Sequence, residues 1–271
     1  MPIVRDPLDP KISMWHFLAF YLRYQRKKEG LSLTQCGKII AAARSTVSNM
    51  EAGRQRPQDD QMALLDDRYG TGALLQLLLW YARMAHDPDW GRQLVKYEEA
   101  ASLIKMFHGQ VIPPVFQTDA YTWAYVQAAI TKDHEGAMAR RVARRQALLA
   151  RGMEVDLWAV IDESVLARPV GDAGTMKEQL EHLLYMSSLP NVSLRVVPFT
   201  SGAHLGVDGP LQLLSLGTRD VAYSGAQNGG RLIESPSEVR ELSVIFDRIG
   251  AKAASEEASV DIFKQYLERY R

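Results

Sequence analysis

The sequence predicts an α+β fold: an N-terminal all-α domain of five helices, then a helical segment and a small α/β domain with a mixed sheet. Three observations predict it. Apolar residues recur at helical spacing through the first third of the chain. The Pro113-Pro114 pair interrupts a second run of helical pattern. After Gly152, β-branched runs alternate with stretches of helical period, the mark of a strand–helix–strand unit.

In order, Phe17, Leu18, Tyr21, Leu22 and Tyr24 give a helix over Met14 to Lys28, closed by Gly30. Ser32 is placed as the N-cap of a helix to about Ile40, and the small residues Ala41 to Ala43 turn the chain into a helix from Arg44 to Glu51 ended by Gly53. Helices near 59–69 and 72–85 complete a domain over 11–86. The polar, proline-containing stretch Asp87 to Trp90 is the boundary. A second domain, 90–271, opens with a helical part (90–151) holding helices over 91–107, 119–131 and 135–151, the middle one capped by Thr118. Its α/β part (152–271) has strands over 155–161 and 192–197, with a helix over 175–188 between them, which calls for a parallel crossover. A hairpin over 210–216 and 220–224 turns at Gly217, and helices over 237–253 and 255–270 close the chain.

The 271 residues balance 32 basic against 32 acidic side chains, so no global field attracts a polyanion. The charge is local. From Leu22 to Pro57 eight basic residues face two acids, a balance of +6 that leaves −6 for the remainder. A single cysteine, Cys36, excludes an intrachain disulfide and a cysteine metal cluster; it is expected as a small core residue. The acidic, proline-rich start is unlike a secretory signal, and the apolar patch Leu74 to Tyr81 is too short to span a bilayer, so the expectation is a soluble, cytoplasmic protein. Six scattered histidines suggest no zinc site, and no nucleophile elbow, phosphate loop or cofactor motif is present, so neither metal nor cofactor is expected.

The stretch from Leu31 to Pro57 has the layout of a helix-turn-helix whose second helix enters the major groove of double-stranded DNA. Arg44, Ser45, Thr46, Ser48 and Asn49 are its outward polar residues: arginine suits guanine, asparagine suits adenine, and hydroxyls take base edges or phosphates. Val47 and Met50 turn inward against Cys36, Ile39 and Ile40. Arg54 and Arg56, just beyond the helix, are placed for phosphates. One short helix reads few base pairs, which predicts a homodimer.

The same stretch resembles the XRE-type (Cro/C1-type) helix-turn-helix without a gap. Ser48, Glu51, Gly53, Arg56 and Pro57 fall on its Ser-x-x-Glu-x-Gly-x-x-x-Pro signature. Three positions depart: Leu33 stands where the family has Gln, Ala41 where it has the turn Gly, and Ala43 where it has the Ser cap. Further along, Tyr97-Glu98-Glu99-Ala100-Ala101, Val111 to Thr118 with Tyr121, Val160 to Leu166, Arg168 to Gly171, Gln179-Leu180 with Leu183-Leu184, and Val196 to Phe199 with Gly202-Ala203-His204 follow in a recurrent order. Over nearly its whole length the chain is thus similar to the actinobacterial WhiJ-type regulators, with Pro113 to Phe116 replacing the more usual Pro-Gly-Leu-Leu. The resemblance implies a transcription regulator acting with a small partner protein encoded nearby, and a second domain that binds the partner or senses a signal. The alternative is an antitoxin-like interaction module that sequesters a small partner, with DNA binding secondary.

Two further groups are candidates for partner or ligand binding. Arg140, Arg141, Arg144, Arg145 and Arg151 share one broad helix face, a cradle for an acidic partner, against which stands ion pairing with Glu98, Glu99 or Asp162. Glu163 and His204 invite an acid/base reading beside Asp162; the competing expectation is a helix contact for Glu163 and a loop closed by His204, and no enzyme is expected. The aromatics Trp80, Tyr81, Trp90, Tyr97, Phe107, Phe116, Tyr121, Trp123 and Tyr125 are expected mostly in core and inter-domain packing.

Overall fold

Local caps set the first helices. In the computed structural model, which describes residues 9–84, 90–129, 132–226 and 230–270, the Ser13 hydroxyl accepts the His16 N–H at the start of α1 (Met14–Lys28). Ser32 and Gln35 form a reciprocal capping box at the start of α2 (Leu33–Ile39). α3 (Arg44–Glu51) follows the turn, then α4 (Asp59–Tyr69) and α5 (Leu74–Met84). The buried Asp66 carboxylate of α4 accepts the N–H groups of Leu75 (2.8 Å) and Gln76 (3.0 Å), so one side chain satisfies the orphan donors opening the next helix. Leu18, Leu22, Val47, Met50, Met62 and Leu79 lie in the core that these helices enclose. The chain divides into two compact units, 1–89 and 90–271. The expected boundary residues up to Asp89, and the last residue of the expected helix over 72–85, lie outside the described residues.

The second unit begins with α6 (Trp90–Ala100) and then departs from expectation. The helix expected over 91–107 stops at Ala100, and Leu103–His108 is strand β1. β1 is a central strand, parallel to β2 on one side and antiparallel to β4 on the other. It buries apolar side chains on both faces, Ile104 and Met106 in one core and Phe107 in another, so its apolar run shows no clean alternation and is ambiguous between helix and strand. After a 3₁₀ turn at Pro114–Phe116 come α7 (Asp119–Gln127), capped by Thr118 as expected, and α8 (His134–Leu149). The expected end of α7 at Thr131 lies outside the described residues.

Then follow β2 (Asp156–Asp162), the short α9 (Ser164–Ala167), α10 (Ala173–Met186) and β3 (Val192–Val197). β2 and β3 pair in parallel across α10, as the crossover requires. β4 (Leu211–Ser215) and β5 (Asp220–Ser224) form the expected hairpin, to which β6 (Arg231–Ile233), not anticipated, adds an edge. α11 (Pro236–Gly250) and α12 (Glu256–Glu268) close the chain. The six-stranded mixed sheet runs β3-β2-β1-β4-β5-β6, so the architecture is α+β.

Two cores flank the sheet. On one face, residues of α6, α7, α8, α10 and α12 bury Ile104, Leu157, Ala159, Leu194 and Leu214. On the other, Val239, Phe246 and Ile249 of α11 pack on Val160, Val197, Leu211, Leu213 and Ala222. Among the described residues no helix is long and apolar enough to cross a membrane.

Candidate nucleic-acid interface

The helix-turn-helix is held from behind. Val47 and Met50 are each 3% exposed and, with Cys36 and Ile40, fix α3 to the core of its unit. The Cys36 thiol, whose pKa is raised by burial, lies 3.6 Å from the Tyr69 hydroxyl, the setting of an inert core residue. At the far end of α3 the buried Glu51 carboxylate takes two hydrogen bonds from the Arg26 guanidinium of α1, Nη2 to Oε2 at 2.8 Å and Nε to Oε1. Arg26 Nη1 also reaches the Leu31 carbonyl at 2.8 Å. Glu51 of the signature is therefore a pin between α1 and α3, and Arg26 is spent on that pin rather than presented to solvent.

The turn is tight for a physical reason. A Cβ built on Gly37 would lie 2.4 Å from the Ala42 carbonyl oxygen, so only glycine permits the chain to fold back there. Sequence reasoning missed this role. Ala41 has φ +50°, the one non-glycine residue at positive φ among the described residues, in the place where the resemblance had glycine. Ala43 occupies the N-cap of α3 with extended backbone and offers no side-chain cap.

The polar side chains of α3 are more open than its anchors Val47 and Met50. Arg44 and Ser45 are exposed; Thr46, Ser48 and Asn49 are half-buried. Arg54 Nε donates to Asn49 Oδ1 at 3.0 Å, and the Arg54 N–H donates to the Asn49 carbonyl at 2.8 Å, where Gly53 (φ +66°) turns the chain out of the helix. The phosphate candidate Arg54 thus braces the base-reading candidate Asn49. The Arg56 guanidinium sits 4.0 Å from the centre of the Trp15 ring, which fixes the place of its charge. Trp15, on α1, is a second contributor that the spacing of the motif did not reveal.

The candidates of the second unit do not converge. Arg144 gives Glu98 a two-pronged ion pair, Nε to Oε2 at 2.6 Å and Nη2 to Oε1 at 2.7 Å, and Gln212 adds a bond to Glu98 at 2.8 Å. Arg145 donates to the Gln117 carbonyl at 2.8 Å and pairs with Asp119, while Arg151 donates to the Glu98 carbonyl at 2.8 Å. Arg141 lies 5.1 Å from the Tyr125 ring centre. The arginine-rich face is thus in large part a set of internal bonds holding α6, α7 and α8 together.

Glu163 and His204 do not meet as an acid/base pair. Glu163 accepts from the Phe199 N–H (2.7 Å) and the Tyr266 hydroxyl (2.9 Å). His204 Nε2 lies 2.9 Å from Asp162 Oδ2, and His204 Nδ1 accepts the Gly206 N–H at 3.2 Å. Because Nδ1 is an acceptor, Nε2 carries the proton and donates it to Asp162. Burial opposes the Asp162 charge, yet bonds from Ser164 and His204 hold its carboxyl below the usual range. Gly206 in turn lies so close to Phe107 that a Cβ would fall 2.3 Å from the ring. The histidine pins a loop over the strand ends. Of the aromatics, Phe107, Phe116 and Tyr121 are core of this unit, whereas Trp80 and Tyr81 are 54% and 55% exposed; the Trp90 side chain lies outside the described residues. No group of three or more potential metal-ligating side chains occurs among the described residues.

A polar-faced helix set behind a capped helix and a tight turn and fastened by a buried Arg–Glu pin, with basic residues at its rim, defines a helix-turn-helix DNA-binding regulator. In agreement, a helix-turn-helix domain model matches residues 18–78. The chain belongs to the family with a domain of unknown function, DUF5753, whose model matches residues 91–265. No curated protein and no solved structure matches the chain.

Proposed function

We propose that the protein is a sequence-specific XRE-type transcription regulator of the actinobacterial WhiJ type, acting in the cytoplasm as a homodimer. In this reading α3 enters the major groove. Arg44, Ser45, Thr46, Ser48 and Asn49 face base edges, and Arg54 and Arg56 take phosphates. The observation that carries it is the outward polar face of α3 on a helix anchored by Val47, Met50 and the Arg26–Glu51 pin. The apolar side chains Leu74, Leu77, Trp80 and Tyr81 of α5, 39% to 55% exposed, support a self-associating surface. The DUF5753 unit modulates DNA binding through a small protein partner or a ligand, and we assign no catalysis to Glu163 and His204, whose bonds account for their positions.

The test is affinity for the protein's own upstream DNA and for random duplex as salt is varied. Specific binding is expected to exceed random binding, with log affinity falling by about 0.9 per phosphate contact for each unit of log salt. Asn49→Ala should relax preference at one base position by about 1–3 kcal/mol. Equal affinity for both DNAs, or no salt dependence, would refute the reading.

A further inference from the structure

The sheet face opposite α6, α7, α8, α10 and α12 is only partly covered. α11 packs there chiefly on β4 and β5. Trp158, in the middle of β2 between two parallel neighbours, is 46% exposed, whereas parallel strands normally have both faces buried. A cavity of about 360 Å³ opens at this place, within the size range of small-molecule sites. Lys105 of β1, Trp158 and Arg195 of β3 line it from the sheet, and Phe246, Asp247 and Gly250 line it from α11.

The cavity wall is fixed. Arg195 donates to the carbonyls of Gly250 (3.1 Å), Ala253 (2.9 Å) and Ala254 (2.8 Å), binding the C-terminal end of α11 to β3 and spending its charge on the helix terminus. Lys105 is differently placed. Its ammonium lies 5.4 Å from the Trp158 ring centre and 5.7 Å from that of Phe246. It has no ion pair or side-chain hydrogen bond among the described residues. The cavity thus presents a cation with no direct ion pair among the described residues beside an exposed indole.

We propose that this cavity binds a small aromatic carboxylate, whose ring stacks on Trp158 and whose carboxylate pairs with Lys105. A charge-assisted bond to the ammonium supplies orientation, and the indole face supplies area. The Asp247 carboxylate on the other wall selects against a second negative charge and accepts an N–H or O–H carried by the ring. The site therefore favours a singly charged amino- or hydroxy-substituted aromatic acid over a phosphate or a dicarboxylate. Its regulatory meaning rests on the reading above that the second unit senses a ligand; the binding itself does not.

The experiment is calorimetric titration of the full chain with 2-aminobenzoate, with cyclohexanecarboxylate, benzylamine and benzene-1,2-dicarboxylate as comparisons. Saturable binding of 2-aminobenzoate is expected with Kd between about 10 μM and 1 mM. The saturated-ring acid and the amine should bind at least about tenfold more weakly, and Lys105→Met and Trp158→Leu should each weaken 2-aminobenzoate by about tenfold. Asp247→Asn should improve binding of the dicarboxylate severalfold, a gain that misfolding cannot produce. Absence of 2-aminobenzoate binding at millimolar concentration overturns the proposal. So does binding that neither Lys105→Met nor Trp158→Leu changes, or a dicarboxylate affinity indifferent to Asp247→Asn. DNA affinity measured in parallel separates the two ideas: if the acid binds and operator affinity does not move, the sensing role fails while the site stands.

Discussion

Ala41 concentrates the strain of the turn. A left-handed backbone places its Cβ against the following carbonyl oxygen, at a cost of about 1 kcal/mol that glycine avoids. Two residues on, Ala43 has the extended backbone of an N-cap but no oxygen to offer the Thr46 N–H. Ala41→Gly and Ala43→Ser should therefore each stabilise the first unit, by about 1 kcal/mol apiece, measured as a higher urea midpoint at unchanged slope. His108, at the end of β1, sets a different dependence. Burial, and then the nearby Arg144 charge, push its pKa from 6.5 down to about 4. Above pH 6.5 it is neutral in folded and unfolded chains alike, and its contribution is fully present. As pH falls from 6.5 toward 4 the unfolded chain takes up a proton that the folded one refuses, so stability drops, by an amount on the order of 3 kcal/mol, and the loss levels off below 4. His182, lowered by burial and by Arg145, acts in the same direction. In urea titrations at successive pH values, His108→Gln should show a shallower fall across that window than the unaltered chain.

α6 is held to the sheet and to α8 through one carboxylate. Glu98, 6% exposed, is shared by Arg144 and Gln212, and its carbonyl accepts from Arg151. Glu98→Gln leaves the Arg144 guanidinium without its counter-charge and should cost about 2–3 kcal/mol. That is below the figure for a fully buried pair because Arg144 is 33% exposed. The double substitution Glu98→Leu with Arg144→Met should cost less than Glu98→Gln alone, which urea denaturation of the three variants will decide. The contrast between α6 and the first unit shows what a sequence carries. The bounds of α1, α2 and α3 were legible to within a residue or so because their signals are local: Gly30 closing the first, Ser32 capping the second and Gly53 ending the third. β1 was not, since its apolar run fits either period and only pairing with distant β2 and β4 makes it a strand. The outward residues of α3 followed from spacing. The Asn49–Arg54 bond, the Trp15–Arg56 stack and the Asp162–His204 bond depend on side-chain geometry that spacing does not encode.

At the scale of the molecule, charge and self-association make opposite demands on DNA binding. Residues 9–84 hold eleven basic and seven acidic side chains, a net +4, so the neutral chain carries −4 elsewhere. The core of the first unit is built from residues between Trp15 and Ala82, so the segment 9–84 has the means to fold alone. Released from an acidic body, it should bind random duplex as tightly as the full chain or more so, because nonspecific affinity follows phosphate neutralisation. Operator affinity depends on something more, two recognition helices set one helical turn apart, which the proposed homodimer supplies. If the second unit contributes to that dimer, removing it should lower operator affinity while leaving nonspecific affinity intact. The ratio of operator to random binding should then fall by at least about tenfold, with a salt slope per protomer no smaller than before. Fluorescence anisotropy on both DNAs, for the full chain and for residues 9–84, measures the four affinities at each salt concentration. An unchanged ratio would mean that the first unit alone sets specificity and that the DUF5753 unit acts on something other than dimer assembly.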